Sequence, residues 1–229
     1  MTKGRPDEAA LRRKARRVVA ALETRFGVPE RREARDPLDS LVQTVLSQST
    51  SDTNSHRAFR ALRQTFPTWD EALEAGPEEI EKAIRSGGLA RQKSVRIHEL
   101  LGWVRERFST LSLACVREMS DEEVFALLLP LKGVGVKTVA VMLLFACGRD
   151  CFAVDTHVHR IVRRLGLVPE AVNAVKTFRL MKPLVPKGKA LSLHVNLLKL
   201  GRTLCRPTAP RCRECPLRRM CDYGKAHRG

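Results

Sequence analysis

The first candidate site in this sequence is a lysine beside a pair of glycines, where a side-chain amine and exposed backbone N–H groups could act on the same ligand. Residues 131–138 are Leu-Lys-Gly-Val-Gly-Val-Lys-Thr, between apolar runs at 124–129 and 139–146. Gly133 and Gly135 permit a tight turn, and the helix that follows exposes backbone N–H groups as a small anion site. Gly-Val-Gly between two helices is typical of a helix-hairpin-helix, which binds a nucleic-acid phosphate through main-chain amides.

Lys137 falls in the first turn of the second helix of this hairpin. The positive end of the helix dipole disfavours an ammonium there, so the position favours the neutral, nucleophilic amine. The alternative is a tight turn with a solvated lysine beside it, and these eight residues by themselves do not separate the two.

A carboxylate and two histidines follow in the segment 153–160, Ala-Val-Asp-Thr-His-Val-His-Arg. Asp155 directly precedes an apolar-periodic helix, so the pattern predicts an N-cap. A capping carboxylate at a helix mouth can also face a bound sugar. His157 and His159 are more typical of local hydrogen bonding than of base catalysis, and a two-residue spacing on a helix is poor for metal ligation.

Four of the seven cysteines crowd the C-terminus in the pattern Cys205-x6-Cys212-x2-Cys215-x5-Cys221. Four thiolates in a short loop can bind zinc or a [4Fe–4S] cluster. Structural zinc sites usually bind through two pairs of closely spaced cysteines. This sequence has one such pair, Cys212 and Cys215, with longer spacings on both sides, which favours the cluster and leaves zinc as the alternative. An odd cysteine count fits a metal centre in a reducing compartment better than a disulfide framework.

Arginines are concentrated in the same loop and predict a basic surface that could contact phosphate; they are Arg206, Arg211, Arg213, Arg218 and Arg219. The remaining cysteines are interpreted as core residues; they are Cys115, Cys147 and Cys151.

The elements that must position these groups are predicted to be helices. Apolar residues recur at three- and four-residue spacing over 38–46, and a polar loop at 47–54 ends that helix. Further helices are predicted at 55–66, 69–73, 77–85, 91–108, 124–129, 139–147 and 193–204. A capping box at 120–123 precedes the helix at 124–129. Residues 2–17 are interpreted as a solvated charged face or a frayed tail, and only 151–154 resembles a strand, so the chain is predicted to be all-α.

The charge balance indicates the kind of partner. The chain of 229 residues can form one large or two small domains, and its 42 Lys and Arg against 25 Asp and Glu give a net charge of +17. This excess favours a polyanion. Membrane surfaces are the competing polyanion, but no apolar run approaches the ~20 residues of a span, and the N-terminus lacks a signal-peptide core. We expect a soluble, intracellular protein.

The hairpin with its lysine, the Val-Asp-Thr-His segment and the four-cysteine loop, in this order, resemble the endonuclease III family, the iron–sulfur members of the helix-hairpin-helix DNA glycosylases. The resemblance covers residues 36–223. It implies two helical domains with a DNA-binding cleft between them: a six-helix barrel at 31–149 containing the hairpin, and a discontinuous domain of 1–30 and 150–229 carrying a [4Fe–4S] cluster.

The resemblance also implies a chemistry. Lys137 falls on the family's catalytic lysine and Asp155 on the aspartate that assists it. The implied reaction removes oxidised pyrimidines from double-stranded DNA, forms a Schiff base on the lysine, and cleaves the strand at the abasic site by β-elimination. The implied cluster ligands are Cys205, Cys212, Cys215 and Cys221.

Several positions match the family's DNA contacts. The resemblance assigns phosphate binding to the amides of Gly133, Val134 and Gly135, intercalation to Leu89, and a place at the DNA interface to His157. Gln48 lies near the family's gap-filling glutamine, although it precedes Asp52 by four residues where the commoner form has three. The hairpin also departs from the common form, with Lys132 and Val136 in place of Pro and Arg.

Two other functions remain open from the sequence. One is an adenine mismatch glycosylase of the same superfamily, against which Lys137 argues because those relatives lack a lysine there. The other is a non-catalytic DNA-binding protein with a structural metal. On any of these readings we expect a monomer on duplex DNA with a damaged base or abasic site, without membrane association, in the cytoplasm with the nucleoid or in a eukaryotic nucleus.

Overall fold

The described chain is helical from end to end. The computed structural model describes residues 7–31 and 35–226, and within those ranges it contains no β-strand, which confirms the all-α prediction. The helices are α1 (Glu8–Phe26), α2 (Pro37–Leu46), α3 (Asp52–Thr65), α4 (Trp69–Ile84), α5 (Ala90–Phe108), α6 (Asp121–Leu128), α7 (Val136–Phe145), α8 (Thr156–Arg164), α9 (Ala174–Met181), α10 (Ala190–Thr203) and α11 (Asp222–Ala226). Short 3₁₀ helices are Arg85–Gly87, Ala114–Arg117, Cys212–Glu214 and Arg218–Met220.

The chain divides into two compact units, one of residues 33–147 and one of residues 1–32 with 148–229. The first unit contains α2–α7. Its centre is α2, which packs against α3, α5 and α7. Asp36 accepts hydrogen bonds from the amides of Leu38 and Asp39, and Pro37 occupies the first helical position, so the start of α2 is fixed locally.

Helix α4 agrees with the sequence prediction of two short helices. It consists of two helical pieces that meet at a kink, because Gly76 adopts a non-helical conformation with a φ of 83° and Pro77 resumes the helix after it. Thr68 and Glu71 form a capping box at its start. The capping box predicted at Ser120 and Glu123 is confirmed at the start of α6.

The second unit contains α1 and α8–α11. Of the two interpretations of residues 2–17, the solvated face applies to the described part: α1 begins at Glu8, buries Leu11 and Ala15, and exposes the arginines between them. Residues 2–6 lie outside the described chain. Helix α10 packs against α1 and α8.

One ion pair fixes α1 against α10. The Glu23 carboxylate accepts hydrogen bonds from Lys189 Nζ at 3.0 Å and from Ser192 Oγ at 2.7 Å. Burial alone would raise the pKa of Glu23, but the Ser192 and Lys189 hydrogen bonds and the lysine charge outweigh it, so the pKa lies below its ordinary value. The carboxylate is therefore held ionised at the junction of the two helices.

None of the helices in the described residues is both long and apolar enough to cross a membrane.

Candidate functional site

The glycines of the hairpin make the backbone turn that the sequence predicts. Gly133 has a φ of 83°, a conformation that favours glycine, and a Cβ added there would lie 3.0 Å from Arg96 Cδ and would press on that side chain. Val134 is buried and its amide donates to the Leu131 carbonyl at 3.0 Å. Gly135 is the N-cap of α7. Because glycine has no side chain to cap the helix, the first amides of α7 are available to an anion.

Lys137 is the second residue of α7 and is half-buried. The next three residues, Thr138, Val139 and Ala140, are buried and fix this turn of the helix in the core of its unit. Within the described chain, Lys137 Nζ makes no hydrogen bond or ion pair. The Lys137 amine therefore lies in the first turn after the glycine hairpin and has no partner among the described residues.

Gln48 contacts the hairpin directly. Its Nε2 donates to the Gly133 carbonyl at 2.9 Å, and its Oε1 accepts from Arg96 Nη1 at 3.1 Å. The same Arg96 side chain packs over Gly133. These three residues join the loop after α2, helix α5 and the hairpin. The structure thus gives Gln48 a structural partner, and its gap-filling role stays a prediction.

Leu89 has the exposure expected of an intercalating residue. It is a large apolar side chain that is 56% exposed, and it occupies the N-cap of α5 with a φ of 51°. A groove of about 630 Å³ adjoins it, lined among others by Val95, Arg91, Arg96 and Lys132. An exposed leucine on a strained turn beside a basic groove is poorly explained by packing alone.

Asp155 is the N-cap of α8, as the sequence predicts. Its Oδ1 accepts a hydrogen bond from the Val158 amide at 2.7 Å. Within the described chain Oδ2 makes no hydrogen bond. The preceding residues 151–154 are buried and form no strand, and His194 Nδ1 is 2.9 Å from the Ala153 carbonyl oxygen. One carboxylate oxygen fixes the helix start and the other is free for a ligand.

The two histidines of this segment have local partners. His157 Nδ1 lies 3.0 Å from Arg160 Nη2, and its ring packs so closely on α10 that a Cβ at Gly201 would come within 2.7 Å of it. His159 Nδ1 lies 2.9 Å from Thr177 Oγ1. Burial, with the charge of Arg163, lowers the pKa of His159. The contact of His157 with DNA stays a prediction.

The four C-terminal cysteines form one electrostatically coupled group. Burial is the largest cause that raises the pKa of the Cys215 thiol to about 11, and the proximity of the other three cysteines adds to it. A hydrogen bond from the Leu217 amide acts in the opposite direction. Burial and the neighbouring cysteines also raise the pKa of Cys221. Four thiolates here require a cationic group to neutralise them.

Hydrogen-bond donors surround these sulfurs, as is usual for cluster ligands. Arg164 Nη1 donates to Cys205 Sγ at 3.3 Å, and the Gly224 amide donates to Cys221 Sγ at 3.4 Å. Among residues 7–31 and 35–226, no group of three or more His, Cys, Asp or Glu side chains is placed so that it could hold a metal ion. Cysteine sulfurs with N–H donors beside them are nonetheless the type of ligand that a [4Fe–4S] cluster uses.

The two arginines predicted to contact DNA from this loop differ. Arg206 is exposed, and its carbonyl accepts from Arg164 at 2.7 Å. Arg211 forms a two-point ion pair with Glu214, with both N–O distances 2.7 Å. A phosphate would have to compete with Glu214 for Arg211, which the spacing of the arginines did not indicate.

Three contacts that hold the site were not predicted. Arg160 donates to the Cys205 carbonyl and Arg164 to the Pro207 carbonyl, which fixes the C-terminal half of α8 to the cysteine loop. The buried Lys93 ammonium donates to the carbonyls of Leu46 and Gly87. Only Lys93 carried a sequence signal, since it shares the apolar face of α5 with Ile97 and Leu101.

Together, a helical fold, a glycine hairpin with an unpaired lysine, a capping carboxylate and a four-cysteine loop define the helix-hairpin-helix class of DNA repair proteins. Residues 42–187 match the family model described as "HhH-GPD superfamily base excision DNA repair protein".

Individual relatives are consistent with that match. The chain is 34% identical over 195 residues to "Endonuclease III" of Thermotoga maritima, covering 85% of this chain and 87% of the relative. It is 41% identical over 170 residues to "Putative DNA glycosylase At3g47830" of Arabidopsis thaliana, covering 74% of this chain but 58% of that protein.

A solved structure described as "Structure of a Trapped Endonuclease III-DNA Covalent Intermediate: Estranged-Adenine Complex" superimposes with a TM-score of 0.82. It has 27% identity and covers 95% of this chain and 99% of that chain. The protein belongs to the endonuclease III family of the HhH-GPD superfamily.

Proposed function

We propose that this protein is a bifunctional DNA glycosylase and abasic-site lyase of base excision repair, acting on oxidised pyrimidines. The observation that carries the proposal is Lys137, an amine in the first turn of the helix after the Gly133–Gly135 turn, which has no hydrogen-bond or ion-pair partner in the part of the chain that the structure describes. A hairpin that binds a backbone phosphate holds the neighbouring deoxyribose near this amine. A relative named "Endonuclease III" and a similar solved structure described as a trapped covalent Endonuclease III–DNA intermediate support the proposal.

The proposed reaction begins at C1′ of the damaged nucleotide, which is turned out of the duplex. The neutral Lys137 amine attacks C1′, the C1′–N bond breaks, and the base departs with the bonding electrons and takes up a proton. Loss of a proton from nitrogen and opening of the sugar ring leave an imine between Lys137 and C1′. Removal of a 2′ proton then expels the 3′ phosphate by β-elimination, and water hydrolyses the imine to release the lysine.

Asp155 is proposed to stabilise the positive charge that develops on the sugar and to help to activate the amine. Its Oδ1 is engaged by the Val158 amide, which fixes the direction of the carboxylate, and Oδ2 remains for this purpose. The capping bond therefore orients a charged group that the reaction uses.

DNA is proposed to contact the unit of residues 33–147 at three points. The amides of Gly133 and Gly135 bind phosphate, whereas the Val134 amide, which the sequence also assigned to phosphate, already donates to the Leu131 carbonyl. Leu89 enters the space left by the displaced nucleotide. Gln48, which hydrogen-bonds to Gly133 and Arg96, is the third proposed contact. His157, Arg206 and Arg211 are proposed DNA contacts of the other unit.

A [4Fe–4S] cluster is proposed to be held by Cys205, Cys212, Cys215 and Cys221. When bound, it would neutralise the four thiolates and cross-link the loop 205–221. Arg164 and the Gly224 amide then donate to the sulfurs of Cys205 and Cys221. The purified protein should be brown and contain iron, and a colourless preparation with one zinc ion would contradict the proposal.

The function is tested on a panel of duplexes that contain an oxidised pyrimidine, an adenine mismatch, an abasic site or no lesion. The expected result is release of the oxidised pyrimidine and strand cleavage at that lesion and at the abasic site. Release of adenine from the mismatch alone, or binding to all duplexes without cleavage by cluster-loaded protein, would contradict the proposal.

A further inference from the structure

Among the residues that the structure describes, Lys93 is the one lysine that is fully buried. It lies in the first turn of α5 and is 1% exposed, on the same face as Ile97 and Leu101. Burial in this core lowers the pKa of Lys93. A buried ammonium costs stability unless it is fully hydrogen-bonded, and apolar residues often replace such groups without loss. Its presence here therefore calls for a reason other than packing.

The ammonium joins two segments that are distant in the sequence. Lys93 Nζ donates to the Leu46 carbonyl and to the Gly87 carbonyl, both at 2.8 Å. Leu46 is the last residue of α2, and its carbonyl is one of those that a helix leaves without an internal partner. A cation at this negative end of the helix dipole is favoured. Gly87 ends the 3₁₀ helix Arg85–Gly87.

Each of these carbonyls lies just before a residue proposed to probe DNA. Gln48 follows Leu46 by two residues, and Leu89 follows Gly87 by two residues. The segment between Gly87 and α5 is conformationally strained, with φ of 66° at Gly88 and 51° at Leu89. The two segments also approach each other closely, since a Cβ at Gly88 would lie 3.8 Å from Thr50 Oγ1.

We infer that Lys93 is a positioning residue that holds the Gln48 loop and the Leu89 turn at a fixed separation, so that both enter the DNA together. The inference rests on the proposed function, because it gives Leu89 and Gln48 their roles. The ammonium touches neither DNA nor the reacting atoms. It acts through the backbone at Leu46 and Gly87, and its loss leaves Leu89 exposed but no longer held in the orientation that fills the gap.

The test uses the full, cluster-loaded protein and the variant Lys93→Met, which keeps the unbranched chain and removes both hydrogen bonds. The DNA is a duplex with an uncleavable tetrahydrofuran abasic analogue opposite 2-aminopurine. Entry of Leu89 unstacks the fluorescent base, so wild-type binding should increase its emission. We expect Lys93→Met to bind this DNA at saturation but to lose most of that increase.

A double-mutant cycle separates positioning from general destabilisation. Leu89→Ala should lose the same fluorescence signal, and Lys93→Met should cause no further loss in the Leu89→Ala background. On an oxidised-pyrimidine duplex, each single variant should slow single-turnover base release by about tenfold, which corresponds to about 1.4 kcal/mol. The double variant should be no slower than the slower single variant.

The matched control is Lys82→Met, an exposed lysine that pairs with Glu79 in α4. It should behave as wild type in both assays. If Lys93→Met does not fold, Lys93→Gln takes its place. The glutamine side chain is shorter, so it weakens the hydrogen bonds to the Leu46 and Gly87 carbonyls, but its amide does not leave both carbonyls beside an apolar group.

The outcomes distinguish this inference from the proposed function. An unchanged fluorescence increase in Lys93→Met, or losses that multiply in the double variant, would overturn the positioning role. Wild-type protein that unstacks 2-aminopurine but releases no base would instead overturn the proposed chemistry, while the fluorescence cycle would still decide the role of Lys93.

Discussion

Asp155 has an observed structural role and a proposed catalytic role, and a single substitution can separate the two. Its Oδ1 caps α8 through the Val158 amide, and its charge is proposed to assist the reaction. Asparagine caps a helix as well as aspartate does, so Asp155→Asn keeps the cap and removes the charge. We expect DNA affinity to stay within about twofold and single-turnover base release to fall by about a hundredfold or more.

The control for this variant is Asp36→Asn, which replaces another N-cap aspartate, at the start of α2. It should leave base release unchanged. If Asp155→Asn lost binding and turnover to the same extent, Asp155 would be only a structural cap.

Gly133 has a conformation that side chains resist, whereas Gly102 does not. Gly133→Ala meets a φ of 83° and Arg96 Cδ at 3.0 Å. We expect it to lower the free energy of unfolding by about 1–2 kcal/mol and to weaken DNA binding. Gly102→Ala, on the helical α5 with nothing within 4 Å of the added Cβ, should raise the free energy of unfolding by up to about 1 kcal/mol. Urea unfolding and DNA titration check both, and equal effects of the two variants would contradict this account of the hairpin.

At the scale of elements, the Glu23 contact between α1 and α10 predicts a sensitivity to acid. The pKa of Glu23 lies below its ordinary value of 4.5 in the folded protein. Its contribution to stability is therefore present above about pH 4.5 and is lost as the pH falls through the folded pKa. The difference in free energy of unfolding between wild type and Glu23→Gln should be constant from pH 7 to pH 5 and should shrink below that.

Urea unfolding at a series of pH values measures this difference. Glu8→Gln is the control, because the Glu8–Arg12 pair is exposed on the surface of α1 and should contribute little at any pH. A Glu23→Gln difference that grows below pH 4.5 would show that the carboxylate is not held ionised by Lys189 and Ser192.

Local signals in the sequence predicted the helices and several of their caps, whereas the interpretation of Cys115 as a core residue is wrong because its side chain is exposed. Asp155 as an N-cap, and Ser120 with Glu123 as a capping box, follow from neighbouring residues and are confirmed. The partners of Lys93 and Gln48 could not be predicted, because they are carbonyls as far as 47 and 85 residues away. A main-chain carbonyl carries no side-chain signature, so only the fold identifies these bonds.

At the scale of the whole molecule, the net charge of +17 predicts binding to duplex DNA that depends steeply on salt. Each neutralised phosphate releases condensed counterions. If about five phosphates are contacted, the slope of log K against log salt is about −4 to −5. Fluorescence anisotropy with an undamaged duplex at several salt concentrations measures it. A slope near zero would contradict a backbone-dominated interface.

The order of the motifs along the chain carried the family assignment before any packing was known. The hairpin, the Asp155 segment and the cysteine loop each had a structural alternative, and their combination indicated endonuclease III, which the family model and the relatives confirm. The preferred lesion could not be predicted, since a base pocket is built from side chains of several helices that have no common sequence signal.

The most direct test of the central claim is to trap the imine on Lys137. Cluster-loaded protein is incubated with an abasic-site duplex and sodium borohydride, and the adduct is digested and mapped by mass spectrometry. We predict a reduced covalent adduct on Lys137 that Lys137→Ala abolishes and that Lys132→Ala, an exposed lysine of the same hairpin, retains. A wild-type protein that forms no adduct, or an adduct that persists in Lys137→Ala, would contradict the account.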